Sequence, residues 1–156
     1  MTLAQHMADD RATRRRLVLA SGSPRRQELL REAGYEFAVF PADIDEEIYP
    51  NLLPLELARH LSFEKAKAVA GKFPQDVVLG ADTVVAFGDR ILGKPTDAAN
   101  AKAMLQLLSS TTHLVITGVC VIHVEKNFHR LARVMSAVRM RFLSAGEIER
   151  YVSIDR

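Results

Sequence analysis

The stretch LVLASGSPRR, from Leu17 to Arg26, constrains the fold more than any other part of the chain. A short apolar run ends here at small polar residues, which is typical of a buried strand. Ser23 suits the N-cap of a helix and Pro24 suits its first position, and Gly34 ends the apolar stripe that follows. The stretch therefore predicts a strand, a tight loop and a helix in succession.

The rest of the chain continues this alternation of strands and helices. Apolar spacing and cap residues predict strands over Tyr35–Phe40, Val77–Phe87, Arg90–Leu92, Leu114–Val124 and Ala132–Phe142, and helices over Pro54–Ala70, from a Thr96 cap to Leu108, and from the SAGE capping box at Ser144. We expect one α/β domain with a mixed sheet over residues 17–156, after a loose extension over residues 1–16. Because Arg156 falls within the last helix, we expect the sequence to be a fragment.

Composition limits the classes of function. Among 156 residues, 21 Lys and Arg stand against 19 Asp and Glu, and a net charge of +2 is too small for nonspecific attraction to nucleic acid or membranes. No run approaches the ~20 apolar residues that span a bilayer. The single cysteine, Cys120, lies in an apolar run, which predicts a buried, inert thiol and a reducing cytoplasm.

The adjacent Arg25 and Arg26 indicate an anion site. The start of a helix offers unpaired backbone N–H groups and the positive end of the helix dipole, and the hydroxyls of Ser21 and Ser23 add donors. Guanidinium forks suit phosphate oxygens. The alternative is a capped helix with two solvated arginines, and the stretch alone does not decide between them.

Asp82 is the carboxylate that most suggests chemistry. It follows Gly80 and Ala81 within an apolar strand, where an unpaired carboxylate is costly to bury. It therefore requires a partner, a metal or solvent, although Asp82 and Thr83 are also able to end a strand by bonding their own backbone. Lys65 and Lys94 are weak indications when taken singly.

The acidic segment Asp43–Glu47 lacks the spacing of an EF-hand, so a solvated loop is its default interpretation. Magnesium shared between one carboxylate and a substrate phosphate stays open. The GKPT sequence lacks P-loop spacing, the histidines lack zinc-site spacing, and no G-x-S-x-G motif is present.

In their order along the chain, the motifs ASGSPRR, DIDEE, EKA, GADT and GKP resemble the Maf family of nucleoside triphosphate pyrophosphatases. The resemblance implies an α/β fold of the Maf and ITPase type, with a long mixed sheet flanked by helices and a cleft between two lobes. It implies hydrolysis of a nucleoside triphosphate between its α and β phosphates, giving a monophosphate and pyrophosphate. Oxygen-only ligands favour Mg²⁺ or Mn²⁺ as the divalent metal.

Carried over by motif, the resemblance also implies roles for single residues. Glu46 would bind the metal, and Asp82 would be the proton acceptor or a metal ligand. The implied substrate-binding residues are Ser21, Ser23, Arg25, Arg26, Lys65, Thr83 and Lys94. The combination of SPRR with GADT resembles the subgroup that acts on dTTP and UTP, in which Arg25 and Thr83 also influence base choice. The family's later K-A-G-x-Y-x-I-Q type segment, with its substrate-contacting glutamine, is absent.

Three functions remain open from the sequence. The first is hydrolysis of dTTP and UTP, with a homodimer as a possible assembly. The second is a non-catalytic nucleotide-binding regulatory protein linked to cell division. Nucleic-acid binding through Arg133, Arg139 and Arg141 is weaker, because a basic strand face without exposed aromatic residues is typically solvated. We therefore expect a nucleoside triphosphate as the ligand, and neither nucleic acid nor a membrane as a partner.

Overall fold

A computed structural model describes residues 16–45 and 51–154. The strands are β1 (Leu17–Leu19), β2 (Phe37–Val39), β3 (Val77–Phe87), β4 (Arg90–Leu92), β5 (Thr112–His123) and β6 (Phe128–Arg139). The helices are α1 (Pro24–Glu32), α2 (Pro54–Ala70), α3 (Ala98–Leu108) and α4 (Ala145–Ile154). The predicted succession of strand, loop and helix at the start of the domain is confirmed.

The strands form one mixed sheet in the order β2-β1-β3-β5-β6, with β4 paired to the far end of β3. β1 runs parallel to both β2 and β3, whereas β5 is antiparallel to β3 and β6 is antiparallel to β5. Gly88, at φ 58°, turns β3 into β4. The α/β class and the mixed sheet expected from the sequence are confirmed.

Several predicted boundaries shift in the structure. The cap of α3 is Asp97 rather than Thr96, because the Asp97 carboxylate accepts a 2.7 Å hydrogen bond from the backbone N–H of Asn100. β6 runs from Phe128 to Arg139 rather than from Ala132 to Phe142, and it begins directly after Asn127, which at φ 47° closes the turn that follows β5. The predicted capping box is confirmed, since the Ser144 N–H donates to Glu147 and the Glu147 N–H donates to the Ser144 hydroxyl.

Helix α2 packs closely on the centre of the sheet. An added Cβ at Gly80 of β3 would overlap the backbone carbonyl of Ser62, and one at Gly118 of β5 would overlap that of Ala58. Beside this contact lies an apolar core of buried side chains, which are Val18, Ala20, Ala66, Val69, Ala70, Val78 and Cys120. The small residues thus set the distance between α2 and the sheet.

The opposite edge of the sheet is open. β6 is mostly exposed along its length, and Val134 and Met135 have 64% and 58% of their surface accessible. The apolar side chains of this strand therefore contribute little to the core of the described region. Within residues 16–45 and 51–154, no helix is long and apolar enough to cross a membrane.

Candidate active site

A cleft of about 580 Å³ lies where β3 turns into β4. The start of α1 and the side of α2 complete its walls. The polar side chains that line it are Ser23, Arg26, Lys65, Asp82, Thr83 and Lys94. Among its lining residues, three cations therefore surround one carboxylate, and such an arrangement suits a ligand with several negative charges.

Asp82 and Lys65 form the buried ion pair of this cleft. The Lys65 Nζ donates to Asp82 Oδ1 at 2.5 Å, and the two side chains are 12% and 9% exposed. Lys65 comes from α2 and Asp82 from β3, so the close helix–sheet contact at Gly80 brings the two groups together. The partner that the sequence required for a buried Asp82 is thus a lysine.

Arg26 is held over the cleft by two hydroxyl groups. Its Nη1 donates to the Ser21 Oγ at 2.9 Å, and its Nη2 donates to the Thr83 Oγ1 at 3.2 Å. Ser21 follows β1, and Thr83 lies in β3, so α1 is connected to both strands through one side chain. Ser23 occupies the N-cap position of α1, although its hydroxyl makes no cap bond.

Lys94 lies in the exposed segment after β4 and lines the same cleft. Gly93 and Pro95 flank it, as the GKP motif places them. Ile91 and Leu92 of β4 extend the apolar part of the wall toward this lysine. The β3–β4 hairpin thus brings a cation from outside the sheet to the side of the cleft that faces solvent.

Comparisons with known proteins identify the family of this chain. Residues 16–156 match the family described as Maf-like protein. The chain belongs to the Maf-like family. A relative from Hahella chejuensis named dTTP/UTP pyrophosphatase is 47% identical over 148 residues, which cover 93% of this chain and 73% of the relative. A relative of the same name from Moorella thermoacetica is 44% identical over 138 residues, covering 88% of this chain and 71% of the relative.

A solved structure of a HAM1 protein from Coxiella burnetii has the same fold. It superimposes with a TM-score of 0.53 at 20% sequence identity, over 81% of this chain and 73% of the other. The expected similarity to a Maf-like fold is therefore confirmed at the level of architecture.

Of the described residues predicted from the Maf motifs, Ser21 and Arg25 are not among those that line the cleft. Arg25 pairs with Glu28 one turn along α1, at 2.7 Å, with 67% of its side chain exposed. Its pKa is raised by this hydrogen bond and by the negative charge of Glu28. Glu46 lies outside the described residues. The roles that the resemblance assigns to these and to the other site residues stay predictions.

The structure also shows contributors that sequence reasoning missed. Leu57 and Leu61 of α2 line the cleft, and the Thr117 Oγ1 lies 3.1 Å from that of Thr83. Thr117 sits in the apolar run of β5, where an isolated polar residue on a strand is the pattern that could have drawn attention to it. Cys120, in contrast, is fully buried as predicted, and burial raises the pKa of its thiol to about 11.

The donor set of the cleft fits a metal that shares its ligands with a substrate. Over residues 16–45 and 51–154, no group of three or more His, Cys, Asp or Glu side chains is placed to hold a metal ion. Asp82 supplies a carboxylate to the cleft, and magnesium commonly uses one or two carboxylates together with phosphate oxygens and water. The arrangement therefore suits a metal that arrives with a polyphosphate.

Proposed function

We propose that this chain hydrolyses dTTP and UTP to the nucleoside monophosphate and pyrophosphate. The observation that carries the proposal is the cleft in which Arg26, Lys65 and Lys94 surround the buried Asp82. The relatives at 44–47% identity that bear the name dTTP/UTP pyrophosphatase support the choice of substrate. A triphosphate carries the charge that three cations require, and a carboxylate beside it is placed for proton transfer.

The cations of the cleft bind the phosphate oxygens in this proposal. Arg26 offers a planar fork held by Ser21 and Thr83, so its ordering in the free protein lowers the entropic cost of binding. Lys94, at the exposed side, meets the triphosphate as it enters. Lys65 keeps the Asp82 carboxylate in place and adds positive charge below the phosphates.

Asp82 is the catalytic residue of the proposal. A water molecule attacks the α-phosphorus, the bond from that phosphorus to the bridging oxygen breaks, and pyrophosphate leaves with the bond's electrons. Asp82 orients the water and accepts its proton, at a carboxylate already oriented by Lys65. Mg²⁺ or Mn²⁺, held by Asp82 and by the predicted ligand Glu46, would supply charge neutralisation for the leaving pyrophosphate.

Thr83 and Arg25 are the residues we propose to influence base choice, as the family resemblance implies. Thr83 already lines the cleft, and Arg25 lies one residue from Arg26 on the exposed side of α1. A cytoplasmic location and a possible homodimer belong to the same proposal; the first rests on the single buried cysteine and the second on the resemblance alone.

The test is the identity of the first product. With Mg²⁺ or Mn²⁺, we expect release of pyrophosphate and monophosphate from dTTP and UTP, and slower turnover of dATP and GTP, measured by anion-exchange separation of the quenched reaction. Orthophosphate as the initial product would contradict the position of cleavage. Tight nucleotide binding without any product would instead support the non-catalytic regulatory function.

A further inference from the structure

We propose that Thr117 is a positioning residue that aims Arg26 into the cleft by holding the hydroxyl of Thr83. The proposal rests on the proposed function, because it takes Arg26 to be a ligand of the substrate phosphates. Thr117 is not one of the residues that line the cleft, so any effect on substrate has to pass through its neighbour.

The backbone register places the two threonines side by side. Thr83 of β3 is directly opposite Thr117 of β5, so their side chains project from the same face of the sheet. Their Oγ1 atoms are 3.1 Å apart, which is a hydrogen-bond distance. Both residues are branched at Cβ and therefore stiff about χ1, so this contact keeps both hydroxyl oxygens in place.

The chemistry of a hydroxyl explains why this contact matters for Arg26. A threonine oxygen has two lone pairs and one hydrogen, and the Thr83 oxygen already accepts a bond from Arg26 Nη2 at 3.2 Å. Whichever threonine donates to the other, their hydrogen bond restricts the rotation of the Thr83 hydroxyl and leaves a lone pair for Arg26. Without Thr117, the Thr83 hydroxyl is able to turn its hydrogen toward the guanidinium, which has no acceptor.

The same chain of contacts fixes the other side of the guanidinium. Ser21 accepts from Nη1 at 2.9 Å, so the plane of Arg26 is set by one oxygen after β1 and one oxygen in β3. Thr117 in β5 supports the second of these oxygens. The loop after β1 and the strands β3 and β5 thus hold one side chain of α1.

The experiment uses Thr117→Val in the whole chain, because valine keeps the branched shape and removes only the hydroxyl. We expect the KM for dTTP to rise about three- to tenfold, the range of one net hydrogen bond, with kcat within about twofold. Thr117→Ser restores the hydroxyl and is expected to return KM close to that of the parent chain. Thr112→Val makes the same chemical change on the same strand, about 17 Å away, and is expected to leave KM unchanged.

A second comparison tests whether Thr117 affects substrate binding by way of the Thr83 hydroxyl. In a Thr83→Val background, adding Thr117→Val should produce no further rise in KM. An additive rise would overturn the proposal, as would an unchanged KM in Thr117→Val or a serine variant as impaired as the valine variant. If the valine variant fails to fold, Thr117→Ala makes the same comparison with a smaller side chain.

The proposed function and this inference fail in different ways. If the parent chain releases pyrophosphate from no nucleotide, the proposed function is wrong, and NMR of the Arg26 Nη–H groups decides the positioning role. Slowed hydrogen exchange that is lost in Thr117→Val and regained in Thr117→Ser supports the role. Equal exchange in all three proteins overturns it.

Discussion

Two buried aspartates, one just before β3 and one at the middle of that strand, show what distinguishes a candidate site from a structural ion pair. Asp76, just before β3, is 8% exposed and Asp82 within β3 is 7% exposed. Asp76 pairs with Arg16, whose side chain is 74% exposed, and it also accepts a bond from the Arg16 backbone N–H. Asp82 pairs with a lysine that is 12% exposed, below a cleft with two further cations.

The difference between them teaches that burial of a carboxylate beside a cation does not identify a functional group. At Asp76 one carboxylate meets one guanidinium, so the charges balance. The carboxylate accepts hydrogen bonds from both the backbone N–H and the side chain of Arg16 at the start of β3. At Asp82 the positive charge exceeds the negative charge and faces a cavity. An excess of one sign in a concave site is what attracts a charged ligand.

The largest expected effect comes from Asp82→Asn. The change removes the proposed proton acceptor but keeps the shape, so we expect turnover of dTTP to fall about 10²- to 10⁴-fold. Metal-free nucleotide binding should stay the same or tighten, because a negative charge near the phosphates is removed. Pyrophosphate release and calorimetric binding on one preparation measure the two quantities.

Asp76→Asn is the matched control for that substitution. It makes the same chemical change in the same region of chain, roughly 20 Å from Asp82 along an extended backbone. Turnover per folded molecule is expected to stay within about twofold of the parent chain. An equal loss of turnover in both variants would remove the distinction between the two aspartates.

The second prediction tests whether the excess positive charge of the cleft contributes to nucleotide binding. Arg26→Ala removes a guanidinium that lines the cleft, and we expect nucleotide affinity to fall roughly ten- to a hundredfold, as for loss of a charge-assisted contact. Arg25→Ala removes an equal charge at the neighbouring position, where the guanidinium pairs with Glu28, and should have a clearly smaller effect. Titration calorimetry with dTTP compares them; equal losses would place Arg25 at the phosphates as well.

The third prediction concerns the contribution of Asp76, at the start of β3, to the stability of the fold. Because Asp76 is buried and accepts a 3.2 Å bond from the Arg16 backbone N–H, Asp76→Asn should lower the free energy of unfolding by about 1–2 kcal/mol. Urea unfolding followed by circular dichroism measures this change. Arg16→Ala should lower the free energy of unfolding by a smaller amount, because most of the Arg16 side chain is in solvent and its backbone donor remains. A larger loss for Arg16→Ala would show that the side-chain ion pair, rather than burial, stabilises this end.

The smallest effect is expected for an exposed carboxylate, Glu147 of α4. A hydrogen bond from Arg141, with further bonds from Ser144, lowers its pKa from 4.5 to about 2. Since the folded pKa lies below the ordinary value, the stability it contributes is complete above pH 4.5 and is lost as the pH falls toward 2. The Tm difference between the parent chain and Glu147→Gln should shrink over that interval. A difference that stays constant down to pH 2 would contradict the prediction.

The sequence predicted local structure better than it predicted side-chain partners. The β3–β4 hairpin and the Ser144 capping box depend on residues a few positions apart, so the pattern of the chain contains them. The pairing of Lys65 with Asp82 and of Thr83 with Thr117 depends on how α2 and β5 lie against β3, and local pattern does not determine that. The family resemblance named the polar residues of the cleft, but it gave no reason for the fixed orientation of the Arg26 side chain.

The glycines under α2 restrict how the site can diverge in related sequences. At Gly80 and Gly118 the atom nearest to an added Cβ is a backbone carbonyl oxygen of α2, which no side-chain substitution removes. A mutation at either glycine therefore shifts the whole helix, and with it Lys65 relative to Asp82. The β4 side of the cleft has no such restriction, since Ile91 and Lys94 are exposed and Gly93 has open space around it. Substrate preference is thus free to change through residues of the β3–β4 hairpin. The distance between Asp82 and Lys65, in contrast, is fixed by the packing of α2 on the sheet.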